Sequence, residues 1–490
     1  MTACAYQKLG SHGHLVPVNE VMIKRILKTC LACCLVLNLC LPLPGRAGLA
    51  EVSIADEAEL GREFSVLMQA KFPLIEDPVV TGFINELSSR IASVMPPQPF
   101  RLRVRVVRDG SINAFAAPAG YIFVHSGLIL HMEDQGELAA VIAHEMAHVS
   151  ERHIAKNIER SRYLSIGTLV GMLAGAMLGS ATGSSGGSAV AIGSLAGAQS
   201  AALKYSREDE READQVGLDY LTKAGFTASS MVESFERIKQ SNLLSGTGTP
   251  PAYISTHPGL TERISYVQDL AERRHEATQG QPFQPERFKK VQMILRSRYT
   301  DAGTAIRFYD KSDAELSSME LLGKAVVLQR LHNIRSAEEY FRKAGAQLGE
   351  DSLWHREFGR FAYEQGRFEQ ALGHLNAALA QNPADIMALY FKGLSLAELD
   401  RHQESIQALR QVARSVPEDS EVHTTLGRVL GRSGQEFEGY LHFAYANLYR
   451  KNEDKMRYFM GKARSLASSP DETARIEQLQ QEYRQRSKYW

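Results

Sequence analysis

The sequence predicts two architectures in one chain: an α+β, mostly helical domain with a small sheet, then an all-α solenoid of helical hairpins. Three observations carry this. An apolar run from Leu138 to Val149 contains His144-Glu145-Met146-Ala147-His148. Arg101 to Val107 alternates with period two, the mark of a half-buried strand. Gly359, Gly393 and Gly427 recur every thirty-four residues, the period of a repeated helical hairpin.

The elements follow in chain order. Lys24, Arg25 and Lys28 precede an apolar run from Cys30 to Leu43, and Gly48-Leu49-Ala50 offers small residues for cleavage. Residues 1–50 are therefore expected to be a secretory signal peptide, with Met1 or Met22 as the start. All five cysteines, Cys4, Cys30, Cys33, Cys34 and Cys40, fall before that cut. A mature chain without thiols suits an oxidising compartment, and the expected location is the periplasm. It also removes cysteine-based metal sites and nucleophiles. The formal net charge of +0 gives no field to attract nucleic acid, and there is no phosphate loop or Rossmann glycine pattern.

Glu59 to Gln69 and Pro78 to Val94 read as amphipathic helices, the second with proline in its first turn. Pro118-Ala119-Gly120 reads as a turn and Tyr121 to His125 as a second strand. That strand reads as an edge that could hold an extended substrate by β pairing, which is compatible with ordinary membership of the sheet. His125 and His131 are expected to be structural or surface residues.

On a helix, residues four apart share a face, so His144 and His148 can close on one metal ion, with Glu145 in reach of a water there. A catalytic zinc site takes three protein ligands and leaves a fourth position open. Extension of the motif along one helix fails, because Glu151 and Ile154 stand where glycine and histidine are needed. His153 would point to another side of that helix and is expected to be a polar surface residue. The third ligand is sought at Glu210. Positions 210, 213, 214, 217 and 221 share a helix face with Ala213, Gly217 and Leu221, which turns Glu210 and Asp214 inward. Glu208, Asp209 and Glu212 fall to the side or toward water. A buried carboxylate needs a cation. Glu210 is assigned as the ligand; Asp214 would orient an imidazole or share proton transfer. The plain alternative is a solvated acidic run at a helix start.

The His-Glu-x-x-His helix followed by Glu210-x-x-x-Asp214 resembles the zinc peptidases typified by the HtpX heat-shock protease and the CAAX prenyl protease. Asn113 to Leu128 is similar to the family's segment before the zinc helix. Ser255-Thr256-His257-Pro258 with Arg263-Ile264 is similar to its His-Pro element. The resemblance covers residues 55–271 and departs at Ala119, where relatives often have glycine. It implies a gluzincin-type fold and one Zn2+ per chain, held by His144, His148 and Glu210. Glu145 would be the general base and acid. His257 would donate to an oxyanion or bind zinc as a fourth ligand that keeps the enzyme latent; otherwise it is a loop residue capping the next helix.

Tyr163 to Ala202 is almost free of charge, with Gly167, Gly171, Gly175 and Gly179 in a stripe. Each apolar run is too short to span a bilayer. The segment is expected to be an apolar hairpin near the site, serving as a lid or touching a membrane peripherally, or to pack within the domain.

The expected boundaries are 1–50 for the signal peptide, 51–271 for the metallopeptidase domain, 272–316 for a linker and 317–490 for the repeats. Ala337 and Ala371, Pro383 and Pro417, and Phe341, Leu375, Leu409 and Phe443 keep the same period and are similar to tetratricopeptide repeats. Such stacks bind proteins on a concave face. A periplasmic metallopeptidase with docking repeats resembles the envelope proteases of outer-membrane quality control. That implies misfolded or assembling outer-membrane proteins as substrates and the β-barrel assembly machinery as a partner of the repeats. The alternative is a periplasmic chaperone or adaptor with proteolysis secondary.

Overall fold

A computed structural model of the chain describes residues 52–160, 205–244, 252–273 and 285–487. The expected signal peptide, the glycine stripe of 163–202 and the Gly280-Gln281-Pro282 break lie outside the described residues. Among the described residues, no helix is long and apolar enough to cross a membrane.

Helix α1 (Ile54–Lys71) starts earlier than expected because Ser53 and Asp56 form a capping box. Helix α2 (Pro78–Ala92) is capped by Asp77, whose side chain accepts from Val79 N–H, with Pro78 at its start. Strands β1 (Arg103–Val107), β2 (Ala114–Ala117) and β3 (Tyr121–His125) form one sheet in the order β1-β3-β2. Strand β3 runs parallel to β1, with Val104 opposite Ile122, and antiparallel to β2, with Phe115 opposite Phe123.

Tyr121–His125 is thus the central strand, which removes the expected pairing of substrate at its edge. The edges are β1 and β2, and β2, Ala114-Phe115-Ala116-Ala117, has no alternation for a sequence pattern to detect because all four residues are buried. Its small side chains admit the next long helix, α4, against the sheet. Ala119 adopts φ 61 and ψ 33 in the turn before β3, a left-handed conformation that glycine takes more cheaply.

After α3 (Ser126–His131), helix α4 (Gln135–Ser150) is buried from Gln135 through Val149 and capped by Asp134. Helix α5 (His153–Arg160) follows a two-residue turn. Helix α6 (Arg207–Lys223) packs on α4, and so does α7 (Ser229–Leu244). Helices α8 (Ala252–Thr256) and α9 (Leu260–Arg273) complete this region.

The second half of the expected linker is structured. Residues 285–308 form α10 (Pro285–Ile294), a π-helical turn (Leu295–Tyr299) and α11 (Ala302–Phe308). Phe288, Val291, Ile294, Leu295 and Ala305 are buried in a hydrophobic core that runs without a break from Ile75 to Phe361. The metallopeptidase region and the first repeats therefore share one core. A buried ion network spans the same junction: Arg356 reaches Asp77 at 3.0 Å and Glu357 at 2.8 Å, and Arg298 Nε donates to Glu357 at 2.7 Å.

The repeats are helix pairs α12 (Ser318–Arg330) with α13 (Ile334–Leu348), α14 (Ser352–Glu364) with α15 (Phe368–Gln381), α16 (Ile386–Glu398) with α17 (His402–Ser415), and α18 (Ser420–Arg432) with α19 (Glu436–Tyr449). Two further helices, α20 (Glu453–Leu466) and α21 (Pro470–Arg486), follow. The period has a mechanical cause. A Cβ on Gly359 or Gly393 would lie 2.8 Å from Leu375 or Leu409 of the paired helix, so the pair closes only on glycine. The fourth pair, which lacks the usual alanine, closes through Gly427 and Gly439, whose backbones touch.

Candidate metal centre

Three separate segments deliver the site. Helix α4 brings His144 and His148, whose Nε2 atoms stand 3.1 Å apart, both fully buried. Ser206 and Asp209 cap α6 with a reciprocal box, which fixes its first turn and turns Glu210 inward. Glu210 Oε1 lies 3.5 Å from His148 Nε2, and Oε2 lies 3.6 Å from His144 Nε2. The turn after α8 supplies His257, with Nδ1 2.9 Å from Glu210 Oε1 and 3.4 Å from His144 Nε2. One ligand atom from each of these four residues lies within 4.8 Å of the others.

The two helices meet closely because Gly217 sits where they cross. A Cβ there would be 3.0 Å from His144 Cα and 3.1 Å from its backbone nitrogen. The inward face read from the sequence holds: Glu210, Ala213, Asp214, Gly217 and Leu221 are all buried.

Around this cluster lies a charged frame. Asp214 Oδ1 is 3.0 Å from His144 Nδ1, on the side of the ring away from the other ligand atoms. Arg263 donates to Asp214 through Nε at 2.8 Å and Nη2 at 2.6 Å, and its Nη1 is 2.5 Å from Glu210 Oε2. Tyr266 also donates to Asp214. Arg263 was legible only as part of the motif after His257. The available signal was the requirement itself: two inward carboxylates on one helix need a cation, and Arg263 is the first basic residue of α9, the helix after His257.

Burial and charge set the protonation states. Burial holds His148 neutral, well below the ordinary imidazole range, despite its bond to Glu210. Burial and Arg263 work against protonation of His144, but Asp214 and Glu210 outweigh them and push it up to about 9. Glu210 stays well below the usual carboxylate range: burial opposes its charge, and the charges of His257 and Arg263 prevail. Asp214 is likewise held at about 2, against burial, chiefly by Arg263.

The donor set fits a divalent ion of the zinc type, since two imidazoles and a carboxylate suit borderline-soft cations. Unpaired polar atoms point the same way. Neither oxygen of the fully buried Glu145 has a hydrogen-bond partner, nor does His257 Nε2, which lies 3.4 Å from Glu145 Oε1. Buried groups left this way are costly unless another species reaches them.

Two expectations change here. His153 is not a surface residue but fully buried, with Nδ1 2.8 Å from His148 Nδ1. Helical spacing continued past Ser150 would turn His153 away, whereas Arg152 takes φ 53 and bends the chain back on itself. Asp209 is buried as the capping partner of Ser206, while Glu212 keeps a half-exposed side chain. His125 is structural as expected, 2.8 Å from Ser111 Oγ.

With this geometry in hand, the comparisons with known proteins are specific. The model described as Peptidase family M48 matches residues 78–271, and models of tetratricopeptide repeats match residues 356–420 and 323–385. The chain is 30% identical over 197 residues to Metalloprotease LoiP of Escherichia coli strain K12, covering 39% of this chain and 68% of that one. It is 33% identical over 236 residues to the beta-barrel assembly-enhancing protease of Yersinia pestis, covering 47% of each chain. The protein of the same name in Escherichia coli strain K12 is 31% identical over 242 residues, covering 49% of this chain and 48% of that one. The chain belongs to peptidase family M48 and joins that fold to C-terminal tetratricopeptide repeats. It spans about half the length of these two beta-barrel assembly-enhancing proteases.

Proposed function

We propose that this chain is a periplasmic zinc endopeptidase that acts on misfolded or stalled β-barrel proteins of the outer membrane and assists the assembly of sound ones. The observation that carries the enzymatic part is the convergence of His144, His148, Glu210 and His257 beside a Glu145 with no hydrogen-bond partner. The cellular part rests on the names of the relatives and on the repeats, which offer a docking face for the assembly machinery.

His144, His148 and Glu210 would hold the ion. When bound, zinc supplies a Lewis acid that lowers the pKa of water and polarises a carbonyl. The chain's own residues do the rest. Glu145 takes the proton of the attacking water and passes it to the leaving amine. Asp214 holds the His144 ring by Nδ1, and Arg263 fixes both carboxylates of α6. His257 stands beside both the ligand cluster and Glu145, so it can donate to the oxyanion or close the site as a further ligand.

Metal content of the purified protein, with casein or misfolded-porin cleavage measured with and without a chelator, tests the reading. Glu145→Gln should keep the metal and lose cleavage; retained cleavage by the pure variant sinks the assignment. Loss of activity in His257→Ala supports the donor role, a gain supports latency, and no change removes both. If Glu145→Gln still restores outer-membrane assembly in a deletion strain, the adaptor reading takes precedence.

A further inference from the structure

His148 is held by its own relay, distinct from the Asp214 contact that holds His144. His148 turns Nε2 toward His144 Nε2 and Glu210, and Nδ1 toward His153 Nδ1 at 2.8 Å. His153 in turn places Nε2 3.0 Å from Glu212 Oε2 and 3.9 Å from Asp209 Oδ1.

The proton positions follow from this chain of contacts. An imidazole that gives its Nε2 lone pair to a metal carries its proton on Nδ1. That N–H then donates to His153 Nδ1, which must accept. An accepting Nδ1 leaves the His153 proton on Nε2, where it donates to Glu212. The direction is set by a carboxylate at one end and the ligand position at the other. Two imidazoles at this distance can be bonded only if one donates and the other accepts, so the relay fixes both tautomers.

The backbone is bent to make this contact. Arg152 takes φ 53, a left-handed conformation that a non-glycine residue rarely adopts. Its side chain is pinned, with Nε 3.1 Å from Glu57 Oε2 and Nη2 donating to the Val52 carbonyl at 2.8 Å. Helix α1 thus holds the turn that swings His153 beneath His148. Tyr205 stacks on the His148 ring at 3.7 Å and covers its face.

We propose that His153 and Glu212 are positioning residues: a His148–His153–Glu212 relay that fixes the tautomer and ring angle of His148 and so sets the affinity of the metal centre. This rests on the metal-centre reading above. Partners of ligand histidines typically contribute about 10- to 100-fold to metal affinity.

The test is zinc affinity by chelator competition on the full chain, with the d–d spectrum of the cobalt-loaded protein as a second readout. His153→Leu should weaken zinc binding by about 10- to 100-fold and alter the cobalt spectrum. His153→Asn, whose amide oxygen sits near the place of Nδ1, should recover much of the loss. Glu212→Ala, on a half-exposed side chain that threatens folding little, should weaken binding in the parent and add nothing in the His153→Leu background. Leucine binding as tightly as the parent, asparagine no better than leucine, or an equal Glu212→Ala effect in both backgrounds would each overturn the relay. A parent chain that holds no zinc overturns the metal-centre reading and the relay together. A parent that binds while the variants bind equally well overturns the relay alone.

Discussion

Gly217→Ala should weaken the metal centre although alanine is the better helix former. In an unconstrained helix, this change would stabilise by about 1 kcal/mol. Here the new methyl would stand 3.0 Å from His144 Cα, 3.1 Å from its nitrogen and 3.2 Å from the Ala143 carbonyl carbon. Carbon contacts settle at about 3.5–4.0 Å, so α4 and α6 must part by about half an ångström. All three close atoms are backbone, which cannot swing aside as a side-chain tip can. Overpacking of this kind costs about 1–3 kcal/mol, so the net change in stability lies between about zero and a loss of 2 kcal/mol. The centre is less tolerant. Metal–ligand distances hold to about ±0.2 Å, and here the moving helix carries Glu210 while the other carries both imidazoles. Zinc affinity should fall by at least about tenfold, roughly 1.4 kcal/mol. Chelator competition gives the affinity, and thermal unfolding in zinc and in chelator gives the stability. An alanine variant that is about 1 kcal/mol more stable with parental zinc affinity would refute the close-approach argument.

Other consequences are as direct. Arg263→Met leaves the buried carboxylates Glu210 and Asp214 without their cation, a loss of about 3–5 kcal/mol in chelator that should shrink when zinc is added. A loss under about 1 kcal/mol in urea unfolding of the metal-free protein would contradict the frame. At the junction with the repeats, burial opposes the charge of Glu357, but Arg298 and Arg356 hold its pKa at about 2, below the ordinary 4.5. A depressed carboxylate contributes stability above its unfolded pKa and loses it as pH falls through the folded one. Acid should therefore erode on the order of 3 kcal/mol between pH 4.5 and about 2, and Glu357→Gln should flatten that slope in denaturant titrations; an unchanged slope counts against it. Ala119→Gly relieves a left-handed alanine, worth about 1–2 kcal/mol, against about 0.4–1 kcal/mol of added unfolded-state entropy. The expected result is a small gain in Tm, and a loss beyond about 1 kcal/mol would show that the Ala119 methyl is needed for packing.

Much of the molecule could be read from the chain because its signals are local. The helix face carrying Glu210 and Asp214 follows from spacing and the burial of Ala213, Gly217 and Leu221. The repeats follow from glycines that only one packing geometry requires. What failed to show did so for identifiable reasons. Strand β2 has no alternation because both its faces are covered. The helices of 285–308 bury their apolar side against partners far along the chain, so the segment reads as a connection when taken alone. Local spacing misplaces His153 because a single left-handed residue, Arg152, ends the helix that the spacing would continue.

Helical spacing and side-chain chemistry are properties of a few consecutive residues, so the chain alone placed His144, His148, Glu210 and Asp214 on their helix faces and set the repeat period. Folding in three dimensions makes Tyr121–His125 a central strand, clamps both carboxylates of α6 with Arg263, and puts His153 under His148. Each of these depends on a meeting of distant segments, arranged by Gly217 and Arg152 through close contact and a backbone turn that no local pattern encodes.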